Sequence, residues 1–381
     1  MTSRTTHRVQ IRVNGKDLTL DAGPSGGSPT VADLMRHLGL TERQAVAVAV
    51  NGQVVPRSRW GHWPLPDGAR VQIVRPMAGG AESPAREEPV HPHDPARPGV
   101  SSHSQSYDPG HDPLVIAGRA FRSRLFVGTG KYRDTATMVA ALERSGTEMV
   151  TVAIRAMNLD APDGGDILAH VDTRRYHLLP NTAGATTADQ AVAIAHLARE
   201  ALGTPWIKLE VIGDPRTLLP DLQATLEATR RLVRDGFVVL PYCTSDLITC
   251  LRLEDAGAAA VMPLAAPIGT GQGMLDWAGI RRVIERVSVP VVVDAGLGVP
   301  SDAAMAMELG ASAVLVNTAI ARAQNPPLMA EAFKWGVLAG RQAFLAGRMP
   351  PQNEASPSSP TEGVPFAPLA ARRAGSGGGG A

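Results

Sequence analysis

The run WIKLEVI, residues 206–212, sets Lys208 and Glu210 two positions apart in an otherwise apolar stretch. Alternate residues of a strand point to alternate faces, so Lys208 and Glu210 share one face while Ile207, Leu209 and Val211 share the other. Charges turned inward are costly unless they are paired or used. They form either a structural ion pair or a reactive site, and a lysine inside a barrel is the usual means of capturing a ketone as an imine. Such a lysine must be partly neutral. From a pKa of about 10.4 less than roughly a thousandth is free amine at neutral pH, and desolvation is expected to increase that fraction.

Other residues fit the same chemistry. In PVVVDAGLG, Asp294 ends an apolar run and precedes Ala295-Gly296-Leu297-Gly298. Asp294 could cap the next helix, but Pro300-Ser301-Asp302 already reads as the start of that helix, which weakens the capping reading. Glycine-rich turns allow backbone N–H groups to approach a phosphate closely. One follows a sixth strand-like run as APIGTGQG, residues 266–273, a second contains Gly296 and Gly298, and Asn317-Thr318 closes an eighth run. Cys243 has no histidine near it in sequence and reads as a buried thiol rather than a nucleophile.

These residues need a scaffold that brings strand ends together. Strand-like runs at 124–128, 149–154, 177–181, 206–212, 237–243, 260–264, 290–296 and 313–317 alternate with amphipathic helical stretches. Eight such units predict a closed (β/α)8 TIM barrel, whose active site lies at the C-terminal ends of its strands. A doubly wound sheet is the alternative, but it would carry a dinucleotide-binding glycine motif after its first strand. The only candidate, GTGKY at 128–132, fits neither that pattern nor a P-loop.

The first eighty residues follow another plan. Val9, Ile11 and Val13 alternate before Asn14-Gly15, a hairpin turn; Val31, Leu34, Met35 and Leu38 form a helix stripe stopped by Gly39. AVAVAV-NG-QVV and ARVQIV add further strands, the order of a small β-grasp, ubiquitin-like domain. Its last strand would deliver Ala78-Gly79-Gly80 into solvent. The expected domains are 1–80 (β-grasp, ending in Gly-Gly), 81–112 (a disordered linker rich in Pro, Ser and His), 113–350 (barrel) and 351–381 (a disordered tail). The histidines of the linker lack metal-ligand spacing.

Composition sets bounds. A formal net charge of +1 over 381 residues gives no electrostatic case for nucleic acid or an acidic membrane. Two cysteines fit a reducing compartment. The N-terminus MTSRTTHRVQIRV lacks the apolar core of a secretory signal, and no apolar run approaches a bilayer span. The expectation is a cytoplasmic protein.

Residues 114–350 resemble the thiazole synthase family of thiamine biosynthesis. The resemblance rests on FVGTGKY, LPNTAG, WIKLEVI, GFVVLPYC, APIGTGQG, VPVVVDAGLGVPSDAA and GASAVLVNTAIA. The first segment is similar to that enzyme's sulfur-carrier protein, through AVAVNGQVVPRSRW and the AGG ending. The resemblance implies a sulfur transferase in which Lys208 forms an imine with 1-deoxy-D-xylulose 5-phosphate and Glu210 and Asp294 move protons. Gly269, Ala295, Gly296, Asn317 and Thr318 match positions that hold the sugar phosphate. The carrier's thiocarboxylate supplies sulfur and dehydroglycine (2-iminoacetate) supplies the ring's carbon and nitrogen. The resemblance further implies no tightly bound cofactor, partners that adenylate the carrier and make dehydroglycine, and a homo-oligomer.

The carrier reaction begins at a free C-terminal carboxylate, and here Gly80 is joined to Ala81. Two readings follow: cleavage after Gly80, or a fused domain that only docks while a separate carrier delivers sulfur. A Schiff-base aldolase or isomerase with an inert ubiquitin-like domain is the alternative activity.

Overall fold

The computed structural model describes residues 8–21, 28–40, 44–77, 112–156, 167–356 and 358. Gly79 and Gly80 fall outside these residues, as do the expected linker except for Asp112 and most of the expected tail.

In the N-terminal segment, β1 (Arg8–Val13) and β2 (Lys16–Asp21) pair antiparallel around Asn14-Gly15, both at positive φ (46° and 87°). Helix α1 (Val31–His37) starts at a capping box: Thr30 Oγ1 accepts from Asp33 N, and the Asp33 carboxylate accepts from Thr30 N at 2.8 Å. It buries Val31, Leu34 and Met35, as the stripe predicts. Strands β3 (Ala47–Val50) and β4 (Gln53–Val55) turn at Asn51-Gly52. Strand β5 (Arg70–Met77) lies between β1, parallel to it, and β3, antiparallel to it. Val9, Ile11, Val13, Leu34, Val71 and Ile73 share one core.

The second segment opens with a hairpin, β6 (Leu114–Ile116) and β7 (Arg119–Phe121). Then follow β8 (Leu125–Gly128), α2 (Thr135–Ser145), β9 (Met149–Ala156), β10 (His177–Asn181), α3 (Ala188–Leu202) and β11 (Trp206–Leu209). A small hairpin, β12 (Ile212–Asp214) with β13 (Leu219–Pro220), precedes α4 (Leu222–Arg234). The chain continues with β14 (Val238–Cys243), α5 (Leu247–Asp255), β15 (Met262–Pro263), α6 (Trp277–Arg286), β16 (Val292–Asp294), α7 (Pro300–Glu308), β17 (Ala313–Val316), α8 (Thr318–Ala321) and α9 (Pro326–Ala346).

Parallel pairing runs β8-β9-β10-β11-β14-β15, crosses to β16 through the bridges Val261↔Val291 and Leu264↔Asp294, and returns through β17 to β8. The sheet closes into the expected eight-stranded barrel. Aspartate or threonine N-caps (Asp134, Thr187, Asp221, Asp246, Asp276) start five of its helices, each accepting a backbone N–H of the first turn. Leu114, Ile116 and Phe121 of the hairpin join Phe126, Met149, Leu179 and Trp206 in the core at the N-terminal ends of the strands. Asp112, just before that hairpin, accepts from Arg124 (3.0 Å) and Arg341 (2.7 Å).

Strand β5 is not a free edge: it pairs antiparallel with β9, Val74 opposite Ala156, Arg75 opposite Arg155, Pro76 opposite Ile154 and Met77 opposite Ala153. The Ala78-Gly79-Gly80 ending expected to enter solvent lies outside the described residues. Ala47, Ala49 and Val74 of the β-grasp segment and Ile154 of β9 form one apolar cluster with Ala188, Ala191, Val192 and Ala195 of α3. Small side chains on α3 let the sheet approach, and β9 extends past the barrel to offer an edge. The single-domain pattern could not reveal this, because pairing partners far apart in sequence leave no periodic trace.

The second compact unit, Gly347–Ala381, is described at 347–356 and 358, where the chain forms neither helix nor strand.

Candidate active site

A cavity of about 690 Å³ lies at the C-terminal ends of the barrel strands. Lys208, Glu210, Gly269, Asp294, Ala295, Gly296, Asn317 and Thr318 all line it. The structure therefore gathers every described residue that the sequence reading selected.

Lys208 Nζ stands 2.6 Å from Asp294 Oδ2 and 3.2 Å from Glu210 Oε1. All three are buried, at 5%, 1% and 5% exposure, so this is a desolvated charge cluster rather than a surface ion pair. The aromatic face of Tyr242 lies 5.7 Å from Nζ. Ile207, Leu209 and Val211, on the opposite face of the strand, pack in the cluster that contains α3 and α4 residues.

The charge state of Lys208 corrects the expectation of a desolvated, partly neutral amine. Burial does push against its charge, but Asp294 and then Glu210 outweigh burial and hold its pKa above the ordinary lysine value. Burial in turn raises the Asp294 carboxyl above the ordinary aspartate range, against the pull of Lys208. One cation shared between two carboxylates leaves the cluster with surplus negative charge, so a proton taken up there is held readily by Asp294.

Strand β11 ends at Leu209, short of the expected 212, and Thr182 explains why. Its hydroxyl donates to Glu210 O and accepts from Glu210 N, both at 2.7 Å, replacing the strand ladder at that point. Thr182 N also donates to Lys208 O at 3.2 Å. Thr182 was not selected from the sequence; its position in LPNTAG marks a strand end, but only the register to β11 shows what the hydroxyl meets. Tyr242 was likewise unselected.

The loops are built around unusual backbone. Ala295 has φ +59°, Gly269 +78° and Gly296 +71°. A Cβ on Gly296 would drive into Ala266, so that position admits only glycine. Gly269 sits where a Cβ would be 3.8 Å from Thr318 Oγ1, which brings the loops after β15 and β17 together. The Asp302 carboxylate accepts from Gly298 N (2.8 Å) and Val299 N (3.1 Å), holding the loop after β16 and starting α7 as expected. Asn317, with its amide nitrogen turned to the loop after β8, donates to Gly130 O at 2.9 Å and Gly128 O at 3.3 Å.

Cys243 is fully buried, with its Sγ 3.8 Å from that of Cys250; the neighbouring thiol, and burial after it, push its pKa up, away from a nucleophile. Among the described residues no cluster of His, Cys, Asp and Glu is arranged to hold a metal ion. Nor is any described helix long and apolar enough to cross a membrane.

The family profile described as "Thiazole biosynthesis protein ThiG" matches residues 115–360, most of the chain. The chain belongs to the thiazole synthase family. Residues 11–80 match the ThiS family, so a sulfur-carrier-like domain precedes the synthase. A thiazole synthase of Paramagnetospirillum magneticum is 42% identical over 356 residues, covering 93% of this chain and all of that protein. An alignment of that extent takes in both segments. A thiazole synthase of Geobacter metallireducens is 56% identical over 254 residues, 67% of this chain and 98% of that one. Among solved structures, the Amycolatopsis orientalis BexX/CysO complex superposes with TM-score 0.57 at 36% identity, covering 63% of this chain and 98% of that chain. The family's activity, making the thiazole of thiamine, is the activity of this enzyme.

Proposed function

We propose that the barrel captures 1-deoxy-D-xylulose 5-phosphate as an imine on Lys208 and joins it to sulfur from a carrier thiocarboxylate and to 2-iminoacetate. The observation that carries this reading is Lys208 Nζ held between Asp294 and Glu210 within the cavity. Lysine must lose its proton before it attacks, and Asp294, at 2.6 Å, is the acceptor. The neutral amine adds to the ketone carbon; Asp294 returns the proton to the departing hydroxyl, water leaves, and the iminium forms. The iminium withdraws electrons from the neighbouring carbons, so Glu210 can remove a proton there. The backbone N–H groups around Gly269, Ala295, Gly296 and Thr318 receive the phosphate; the Asn317 amide keeps the loop after β8 in place beside them. The chain's own residues supply this chemistry without a tightly bound cofactor.

The β5–β9 pairing supports the carrier's role, because it aims the β-grasp segment at the cavity: Met77 lies opposite Ala153, a cavity residue. The amide between Gly80 and Ala81 must be cut before that end can be adenylated. Strand β5 pairs with β9 in the uncut chain, so the intact chain docks. Cleavage is thus needed for activation and not for docking. Its partners are an enzyme that adenylates the carrier and one that makes the imino acid, in the cytoplasm, with the synthase assembled as a homo-oligomer. A separate carrier acting in trans is the second reading, favoured by the internal position of Gly80.

Borohydride reduction in the presence of the sugar phosphate tests the imine: a stable adduct on Lys208 is expected, and its absence overturns the reading. Intact mass of the protein from its native host separates the two carrier readings. A fragment ending at Gly80, with or without one oxygen replaced by sulfur, supports cleavage; full-length chain alone in cells making thiazole supports delivery in trans.

A further inference from the structure

Two small anionic substrates must share this cavity with the carrier's terminal thiocarboxylate, and the carboxylates of Glu210 and Asp294 repel them. The sugar phosphate has the glycine loops. A small α-imino acid needs a cation for its carboxylate, placed so that its C=N carbon reaches the sugar bound at Lys208. Among the described residues four cations line the cavity: Lys131, Arg155, Lys208 and Arg322. Lys208 is engaged with the ketone. Lys131 and Arg322 are exposed and flank β8 and α8, on the side of Asn317 and Thr318.

Arg155 differs from them. It is half-buried, and its Nη1 donates to Ile154 O (3.0 Å) and Ala183 O (2.8 Å), which fixes the guanidinium. Among the described residues Nε and Nη2 have no further partner, and a planar guanidinium can bind a carboxylate through two N–H groups at once. Its position also fits. Ala153, Asn181 and Lys208 lie in one row across β9, β10 and β11. Arg155 is the next residue on the inner face of β9, about 6.6 Å further along the strand and two strands, about 9.5 Å, across from Lys208. A two-carbon acid held by Arg155 would extend over Asn181 toward the lysine.

We infer that Arg155 binds the carboxylate of the imino acid, an assignment that rests on the function proposed above. The competing ligand is the carrier's terminal thiocarboxylate. Strand β5 argues against it: Arg75 lies opposite Arg155, and the strand runs on to Met77 opposite Ala153, so the carrier has passed Arg155 five residues before Gly80.

The test uses the full chain with a thiocarboxylated carrier and, as the imino-acid source, glyoxylate with ammonia. Arg155→Gln is expected to raise the KM for glyoxylate roughly 10- to 100-fold, the loss of a charge-assisted pair, with kcat at saturation within a few-fold. Arg155→Lys is expected to recover part of the loss. Oxamate, an unreactive two-carbon carboxylate, should inhibit the wild type in competition with glyoxylate and lose potency in step with the Gln variant. Borohydride trapping of the sugar phosphate and the KM for the carrier should stay unchanged. An unchanged KM for glyoxylate, or a shift confined to the carrier or the sugar phosphate, overturns the assignment. Failure of the wild type to trap sugar phosphate would instead strike the proposed function.

Discussion

Met77 of the carrier strand lies directly opposite Ala153 of the second barrel strand, in antiparallel register, at the edge of the catalytic cavity. A backbone ladder and an alanine-faced helix thus hold the carrier-like segment against the barrel as far as Met77.

That seating predicts a separation of functions. Val74 is buried in the apolar cluster with α3, so Val74→Asp places an unpaired carboxylate in that contact. Thiazole formation at a fixed carrier concentration should fall by about 100-fold, corresponding to the ~2–3 kcal/mol such burial costs. Imine trapping at Lys208 should be untouched. Equal loss of both would show that Val74 serves the barrel's folding instead.

Asp294→Asn removes the carboxylate nearer to Lys208, the proposed proton acceptor. The rate of imine formation should drop by about 10²- to 10⁴-fold, the usual worth of a positioned acid or base. Because Asp294 also holds the lysine charged, the pH profile of trapping should shift to lower pH in the variant. Stopped-flow measurement across pH 6–10 checks both; a rate within threefold of wild type would remove Asp294 from the proton-transfer role.

Thr182 serves both polar groups of the Glu210 backbone. Thr182→Val leaves the buried Glu210 N–H unpartnered, a cost of about 1–3 kcal/mol in unfolding free energy. Activity should fall further than stability alone requires, because Glu210 loses its register. Thr182→Ser should restore both in denaturant titration and turnover; no rescue by serine would mean that the hydroxyl alone does not account for the effect.

His177 sits among Phe121 and Trp206 at the opposite end of the barrel, and burial, helped by Arg119, lowers its pKa to about 4. The unfolded chain takes up that proton near pH 6.5 and the folded chain only near pH 4. Between those values the unfolded state binds more protons, so stability falls as pH drops from about 6.5 to 4 and is flat above. His177→Phe, which cannot titrate, should flatten this part of the melting-temperature profile; an unaltered slope would assign it to other groups.

Gly296 offers the sharpest steric test. Gly296→Ala adds a Cβ into Ala266 at φ +71°. The KM for the sugar phosphate should rise at least about tenfold, whereas Ala295→Gly, which relieves a positive φ of roughly 1–2 kcal/mol, should be tolerated.

What the sequence alone determined was local or periodic. Lys208 and Glu210 share a face because strands alternate, and Asp294 stands at a strand end because the apolar run stops there. The eight units announce a barrel because each strand and helix repeats its own burial period. Gly296 and Asn14-Gly15 are legible for the same reason, since positive φ is a property of one residue. Tertiary structure alone decided the rest. Lys208 meets Asp294 only when β11 and β16 come round the closed barrel, and that meeting reverses the expected fate of its charge. Thr182 acts on Glu210 through inter-strand register. The β5–β9 pairing joins edges of two segments whose strand patterns look the same whether the edge is free or covered. Arg155 shows the limit most plainly: in sequence it is one arginine among many, and only the carbonyls of Ile154 and Ala183 that hold it, and the cavity before it, give it a part in the chemistry.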